Sequence, residues 1–338
     1  MSSSSLPRVA VCAVTRDALA DLSPWWDCLQ AQECDFPIEV SIVDSGSADG
    51  TAEALQELPG VHPLALHRSA ENLGFAEGMN RAIAATTAPW VLALNVDTRP
   101  QRNFVAQLVA RGEMRSAWRI GAVTARLERF AEPGVPIVLD ACGMRLVPSW
   151  RHLDRGSNRV DDGRFPLCER VFGGTGAATL YRREALQDAA IGGPGGPMFD
   201  PLFHSFREDA ELCFRLRERG WEILFEPAAI AAHRRSNLPT RRRQMPAMVN
   251  FHSLKNRYLL RAYHQTWASR LFTMIPTLWR DAIALLYVLL FERSSVAAYS
   301  WLWKNRAEIR ERARAIRARR TASAWDVAMW FFDEDRPI

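Results

Sequence analysis

Over residues 8–130, short apolar runs alternate with helical patterns, and the runs end in polar residues. Val9–Val14 reads as a strand leading to Thr15, and Ile38–Val43 as one running into Asp44. Leu64–His67 is a third, and Trp90–Leu94 a fourth that ends at Asn95-Val96-Asp97. Between them lie helical segments. Ser23-Pro24 opens one, with Ser as cap and Pro at the first helical position. Another runs from Ala52 to Leu58 before Pro59-Gly60, and a third from about Gly78 to Ala85 after the loop NLGF. This alternation with short connections predicts an α/β chain with a doubly wound, mostly parallel sheet. Ligands in such sheets sit beyond the carboxyl ends of the strands, where Thr15, Asp44 and Asp97 all fall.

Residues 131–170 are Pro-rich and irregular, and read as a loop or hairpin region over the site. A second ordered block follows over 171–233, with the passage GGTGAATLY, a helix, the loop GGPGGP and a helix from Arg207 closed by Gly220. Ile223–Phe225 is a short strand, with His233 beyond it. From about residue 234 the composition shifts. Arg234, Arg235, Arg241, Arg242 and Arg243 lead to a helical segment, then to an apolar stretch, Leu271–Phe291, interrupted by Pro276, Arg280 and Asp281. Residues 301–320 carry eight Lys or Arg against two Glu, and an aromatic run, Trp325–Phe332, follows.

Hydrophobic residues make up 48% and charged residues 24%, which excludes a disordered chain. The net charge of +5 suits an anionic partner, whether nucleotide phosphate, nucleic acid or acidic lipid, without choosing among them. The six cysteines form no CxxC pair and read as buried or half-buried thiols in a reducing compartment. MSSSSLPR has no apolar core of signal-peptide length, so a cytoplasmic catalytic part is expected.

Each candidate residue has two readings on its own. Asp44 at a strand end can accept a hydrogen bond from a pyrimidine N–H, or cap the next turn. Asp97 can bind a divalent cation that neutralises a diphosphate, or likewise cap a turn. Asp209 shares a helix face with Leu212 and Leu216 and so points inward, where it can act as a general base; acids at helix N-termini also stabilise without chemistry. His233 is a metal ligand or a polar residue at a loop edge. The glycines of GGTG, Gly174 among them, lack the strand–GxGxxG–helix layout and the lysine of a phosphate loop, and read as a tight backbone passage beside a ligand or a turn.

Their order is more specific than any one of them. SGSADGT after Asp44, then NLGFAEGMN, LNVDT, GGTGAATLYRREAL, FREDAELCFRLRERGW and EPAAIAAH together resemble glycosyltransferase family 2 over about residues 8–260, in particular its rhamnosyltransferase-like branch that builds bacterial surface polysaccharides. The resemblance implies a GT-A fold and an inverting transfer from a nucleotide sugar. It places Thr15 and Asp44 at the base, Asn72 and Gly74 in the loop near the nucleotide, and Asn80 on the helix behind it. Asp97 becomes the last residue of the metal-binding DxD motif, here with Asn95 in first place and so one charged ligand fewer. Gly174 would adjoin the nucleotide sugar. Asp209, with Glu208 beside it, matches the catalytic base, and His233 joins Asp97 as a metal ligand. A divalent cation, Mg2+ or Mn2+, is the implied cofactor.

The branch further suggests a pyrimidine donor, dTDP-L-rhamnose first and UDP-sugars next, and a lipid-linked glycan as acceptor. A nucleotidyltransferase would instead carry a Gly-rich, basic loop after its first strand, which VAVCAVTRDAL lacks. A nucleic-acid-binding protein would use the basic tail but leaves the motif series without a role, so no nucleic acid is expected. The expected organisation is a disordered segment 1–7, a GT-A domain over 8–260 and a helical, basic-apolar extension over 261–338. The longest uninterrupted apolar stretch of that extension, Ala282–Phe291, is ten residues, too short to span a bilayer. The extension is therefore expected to lie on the inner face of the cell membrane, or else to rest on the catalytic domain.

Overall fold

The computed structural model describes residues 6–60, 62–132, 134–235, 245–332 and 336–337. Most of the segment 1–7 expected to be disordered, and Arg241, Arg242 and Arg243, lie outside these residues. The elements run β1 (Val9–Thr15), α1 (Leu19–Gln30), β2 (Ile38–Ser45), α2 (Thr51–Gln56), β3 (Leu64–Ser69), α3 (Gly74–Ala84), β4 (Trp90–Leu94), β5 (Thr98–Pro100), α4 (Phe104–Gly112) and β6 (Ile120–Arg129). Then come β7 (Leu139–Cys142), β8 (Met144–Val147), β9 (Arg151–Asp154), β10 (Glu169–Arg170), β11 (Ala178–Arg182), α5 (Arg183–Ala189), α6 (Glu208–Glu218) and β12 (Glu222–His233). Five helices follow, α7 (Ala247–His264), α8 (Trp267–Phe291), α9 (Val296–Lys304), α10 (Arg306–Ala318) and α11 (Ala324–Met329), and then a short strand, β13 (Arg336–Pro337), that pairs with β10.

The sheet is mixed and mostly parallel, in the GT-A manner. Strands β3-β2-β1-β4 run parallel, β11 inserts antiparallel between β4 and β6, and β12 returns parallel to β6. Residues of β1, β2 and β4 are buried on both faces, as parallel strands covered by helices must be. Strand order reverses at β1 and β4, which brings Thr15 and the Asn95–Asp97 turn to one crevice.

Several boundaries depart from the sequence reading. α1 begins at Leu19, not at Ser23-Pro24, and contains Pro24. Its first donors are met from another segment: Ala18 N–H bonds Thr51 Oγ1 (2.9 Å) and Leu19 N–H bonds Asp49 Oδ2 (3.0 Å). α3 begins at Gly74 rather than about Gly78, with Gly74 N–H on Asn72 Oδ1 (3.0 Å). β12 is a 12-residue strand of which Ile223–Phe225 is one part; a bulge between Glu226 and Ile230 absorbs Pro227, and His233 is its last residue rather than a residue beyond it. The irregular stretch 131–170 contains the hairpin β8–β9 and a strand, β7, that pairs with β6.

The tail helices join the main core. Ile309, Ala313, Ile316, Val327, Trp330 and Phe331 bury against it, and the Phe331 and Trp150 ring centroids are 4.8 Å apart. α8 passes through Pro276 unbroken for 25 residues, long and apolar enough by length and composition to cross a membrane. Its polarity is inverted. Ser269, Thr273 and Thr277 face the protein, where Thr273 accepts from Trp150 Nε1 (2.9 Å) and Thr277 donates to Pro148 O (3.2 Å). Ile275, Leu278, Trp279 and Leu286 are exposed by 77, 61, 71 and 58%.

Candidate active site

A cleft of about 420 Å³ opens at the carboxyl ends of β1 and β4. Thr15, Asn72, Gly74, Asn95 and Asp97 line its sheet side, and Phe206 and His252 its other wall. Asp44 lies behind this surface. It pairs in register with Thr15, accepts that residue's hydroxyl (3.0 Å) and the Ser47 N–H (3.2 Å), and is 1% exposed. Gly74 needs its lack of a side chain: at φ +71°, a Cβ would stand 2.5 Å from the His204 ring and 2.6 Å from the His204 carbonyl. Asn72 Oδ1 is fixed by the Ser45 hydroxyl (3.3 Å) as well as by Gly74.

Asp97 follows β4 and is held beside the end of β12, because β5 pairs with that strand through Thr98 and His233. Its Oδ1 lies 3.3 Å from His233 Nε2, and His233 Nδ1 bonds Asp140 Oδ2 at 2.7 Å. Burial alone would lower the His233 pKa, but the bonds to Asp140 and Asp97 outweigh it and bring the imidazole up to about 9. Asp140 is held below the usual carboxylate range: burial opposes this, but the His233 bond and the charges of Arg235 and Arg129 prevail. Among the described residues, no group of three or more His, Cys, Asp or Glu converges to hold a metal ion. Asp97 and His233 nevertheless fit one shared with substrate phosphates, since Mg2+-like cations use one or two carboxylates plus phosphate and water. Asp140 on the far nitrogen is the kind of partner that orients a ligating imidazole.

The acids at the start of α6 are reached through a strained approach. His204, Phe206 and Arg207 have φ of +62°, +72° and +73°, a region that side chains avoid. Asn256 of α7 holds this backbone, donating to the carbonyls of Phe203 (2.8 Å), Ser205 (2.8 Å) and Phe206 (2.6 Å). The Asp209 carboxylate accepts from Gly176 N–H (3.0 Å) and Ala210 N–H (2.7 Å). Its pKa is raised by burial, against the pull of those N–H groups and Arg207. Glu208 beside it is raised well above the usual range by burial and by the Asp209 charge, and its Oε2 has no hydrogen-bond partner among the described residues. A carboxyl pair that resists full ionisation near a cleft is suited to taking up a proton.

The structure therefore gathers Thr15, Asn72, Gly74, Asn95 and Asp97 at one cleft, with His233 behind Asp97 and Glu208 and Asp209 beyond Phe206. Two candidates lie elsewhere. Asn80 ties the GGPGGP loop down, bonding Phe199 O (2.8 Å), Phe199 N–H (2.9 Å) and Met198 N–H (3.1 Å). Gly174 sits under the sheet against Thr179 and Thr124; the residue of that passage that meets Asp209 is Gly176. The sequence reading did not find Asp140, Asp154 or Asn256. Asp154 pairs with Arg235 (2.8 Å) and is pushed up to about 6, by burial first, against Arg235 and with help from Asp209 and Asp140. No spacing signal marks these residues.

A family model described as glycosyl transferase family 2 matches residues 10–189. Among curated proteins, the chain is similar to N-acetylglucosaminyl-diphospho-decaprenol L-rhamnosyltransferase of Mycobacterium tuberculosis, 25% identical over 235 residues, covering 60% of this chain and 68% of that protein. It is also similar to the pre-mycofactocin glycosyltransferase of the same organism, 27% identical over 197 residues, covering 58% of this chain and 37% of the relative. Among solved structures, a truncated TarS of S. aureus in complex with UDP-GlcNAc superposes with a TM-score of 0.54 at 14% identity, covering 96% of this chain and 90% of that one.

Proposed function

Because the chain belongs to glycosyl transferase family 2, we propose that it moves a sugar from a pyrimidine nucleoside diphosphate, dTDP-L-rhamnose before UDP-sugars, onto a lipid-linked glycan with inversion. The observation that carries this reading is that Asp97 lines the cleft while Asp209 lies against Gly176, which also abuts Phe75 of the cleft lining. The similarity to a rhamnosyltransferase whose name includes a diphospho-decaprenol acceptor supports the choice of donor and acceptor.

In this reading Thr15, positioned by Asp44, contacts the base, and the loop at Asn72 and Gly74 follows the nucleotide. Asp97 and His233 hold a divalent cation, Mg2+ or Mn2+, which when bound supplies positive charge against the departing diphosphate. Asp209 takes the proton of the acceptor hydroxyl, which attacks the anomeric carbon from the face opposite the nucleotide. One displacement inverts that centre. The Gly176 and Ala210 N–H groups keep the carboxylate aimed.

We place the enzyme on the cytoplasmic face of a membrane, with residues 261–338 as its contact region. The inverted polarity of α8 supports this, since its exposed residues suit lipid better than water. The basic run is a weaker support. Arg312 bonds Asp200, Arg319 pairs with Asp188 and Arg320 with Glu218, so these charges are engaged by the catalytic domain.

The reading is tested by thermal shift with dTDP, UDP and purine nucleotides, each with and without Mn2+. Pyrimidine diphosphates should raise the melting temperature more, and Asp97→Ala should remove the metal-dependent part. Equal stabilisation by GDP would overturn the donor assignment. Co-sedimentation with anionic liposomes tests the membrane claim: Leu278→Glu with Leu286→Glu should release the protein. Wild-type protein that ignores such liposomes at low salt would refute it.

A further inference from the structure

A second cavity, of about 220 Å³, lies between α7, α8 and the approach to α6. Its charged lining is Arg207, Arg257 and Arg280; its apolar lining includes Leu254, Ile283 and Val288. The two cavities stand on opposite sides of the same two segments. Phe206 and His252 line the first, whereas Arg207 and Ser253, the next residues along, line the second. Asp209 is two residues on from Arg207.

Among the described residues, positive charge around Arg207 and Arg257 exceeds negative. Asp281 pairs with Arg257 (2.6 Å) and also with Arg261 (2.5 Å), so one carboxylate serves two guanidinium groups. Arg207 contacts the Ser253 carbonyl (3.4 Å) and the His152 ring (3.4 Å), and forms no ion pair among the described residues. His152 is kept neutral, lowered to about 3 by burial and then by Arg207, Arg151 and Arg235. The Arg207 group is itself brought down to about 10, by burial first and then by Arg257, Arg151 and Arg280, with only Asp209 acting the other way. A cluster of buried cations that repel one another is stabilised by a bound anion. Ile283, half-exposed at the edge of the cavity, shares one face of α8 with the exposed residues Leu286 and Leu290.

We propose that Arg207, Arg257 and Arg280 bind the diphosphate head of a lipid whose hydrocarbon chain runs out along the exposed apolar face of α8. This deepens the reading above, on which it rests for the identity of the lipid as the acceptor's anchor. It separates the two diphosphates of the reaction: the donor's meets Asp97 and the acceptor's meets the arginines. Asp209 then lies between them, where the acceptor sugar bridges the two cavities.

The experiment uses full-length protein in mild detergent, titrated with farnesyl diphosphate and followed by tryptophan fluorescence. Saturable binding is expected, unaffected by saturating dTDP or UDP. Farnesol and inorganic diphosphate should each bind at least about tenfold more weakly, because each keeps half of the recognised chemistry. Arg280→Gln and Arg257→Gln should each cost about tenfold or more, as lost charge-assisted contacts do. Ala284→Phe, which fills the cavity without removing a charge, should cost as much. It also decides the matter if Arg257→Gln fails to fold. The inference is overturned if all three variants keep wild-type affinity, if dTDP or UDP displaces the lipid, or if farnesol binds as tightly. Sugar transfer to a lipid-linked glycan is measured on the same preparation. Transfer with unaltered farnesyl diphosphate binding in the variants rejects this site alone. Arginine-dependent binding without transfer from any nucleotide sugar rejects the transferase reading and leaves the site standing.

Discussion

Glu208 and Asp209 open α6, and Glu211 follows within the same turn, yet their pKa values move in opposite directions. Glu208 is 7% exposed and Glu211 0%. Burial raises the first pair, whose partners are few backbone N–H groups and each other. Glu211 is brought down to about 2: burial opposes this, but the Arg215 charge and the bonds from His264 and Arg215 win. Arg215 grips both Glu211 oxygens, through Nε at 2.8 and 3.0 Å and through the terminal nitrogen at 2.7 Å. One helix thus holds acids kept ready for a proton and an acid that never accepts one. Partner supply, more than depth, separates a reactive carboxylate from a structural one.

Asp209→Asn tests that division hardest. Turnover should fall by about two to four orders of magnitude, with nucleotide affinity and melting temperature nearly unchanged. Initial rates beside nucleotide titrations check it, and an equal loss of nucleotide affinity would break the contrast. Glu211→Gln should do the reverse and destabilise by about 3 kcal/mol in urea unfolding, because Arg215 is left buried without its carboxylate, while His264 keeps only Glu218. The same pair carries a pH signature. The folded Glu211 pKa is depressed, so its stabilisation is whole above about pH 4.5 and is lost as pH falls through about 2. The gap in melting temperature between wild type and Glu211→Gln should close over that window. Glu208→Gln is the mildest change, within about 1 kcal/mol of wild type at neutral pH, since burial already favours the neutral form. A loss as large as that of Glu211→Gln would mean that the first turn is structural as well.

The first half of the fold is legible because its signals are local. Strands β1, β2 and β4 announce themselves as apolar runs that end in Thr15, Asp44 and Asp97. The start of α1 is not legible, because its caps are Asp49 and Thr51, some thirty residues along. Pro276 reads as a breaker, but a helix that loses one backbone bond on a long apolar segment continues past it. The family was legible through the order of its motifs. Asp140 was not, because it sits on a four-residue strand in a Pro-rich stretch and acts only through His233. The Glu211–Arg215 spacing is visible as an i, i+4 pair, but nothing local shows that it is buried under α7 and α10.

The hydroxyl stripe of α8 fixes the orientation of the helix on the protein. Thr273 on Trp150 and Thr277 on Pro148 prevent the helix from rolling about its axis. Under the proposed membrane contact, the plane of the lipid surface would thereby be set relative to the sheet, and with it the height of Asp209. A body held at one tilt and one height measures its substrate as a ruler does. On that proposal, an acceptor hydroxyl too near the surface or too far from it would miss the carboxylate, and a glycan already lengthened by one unit would move out of register.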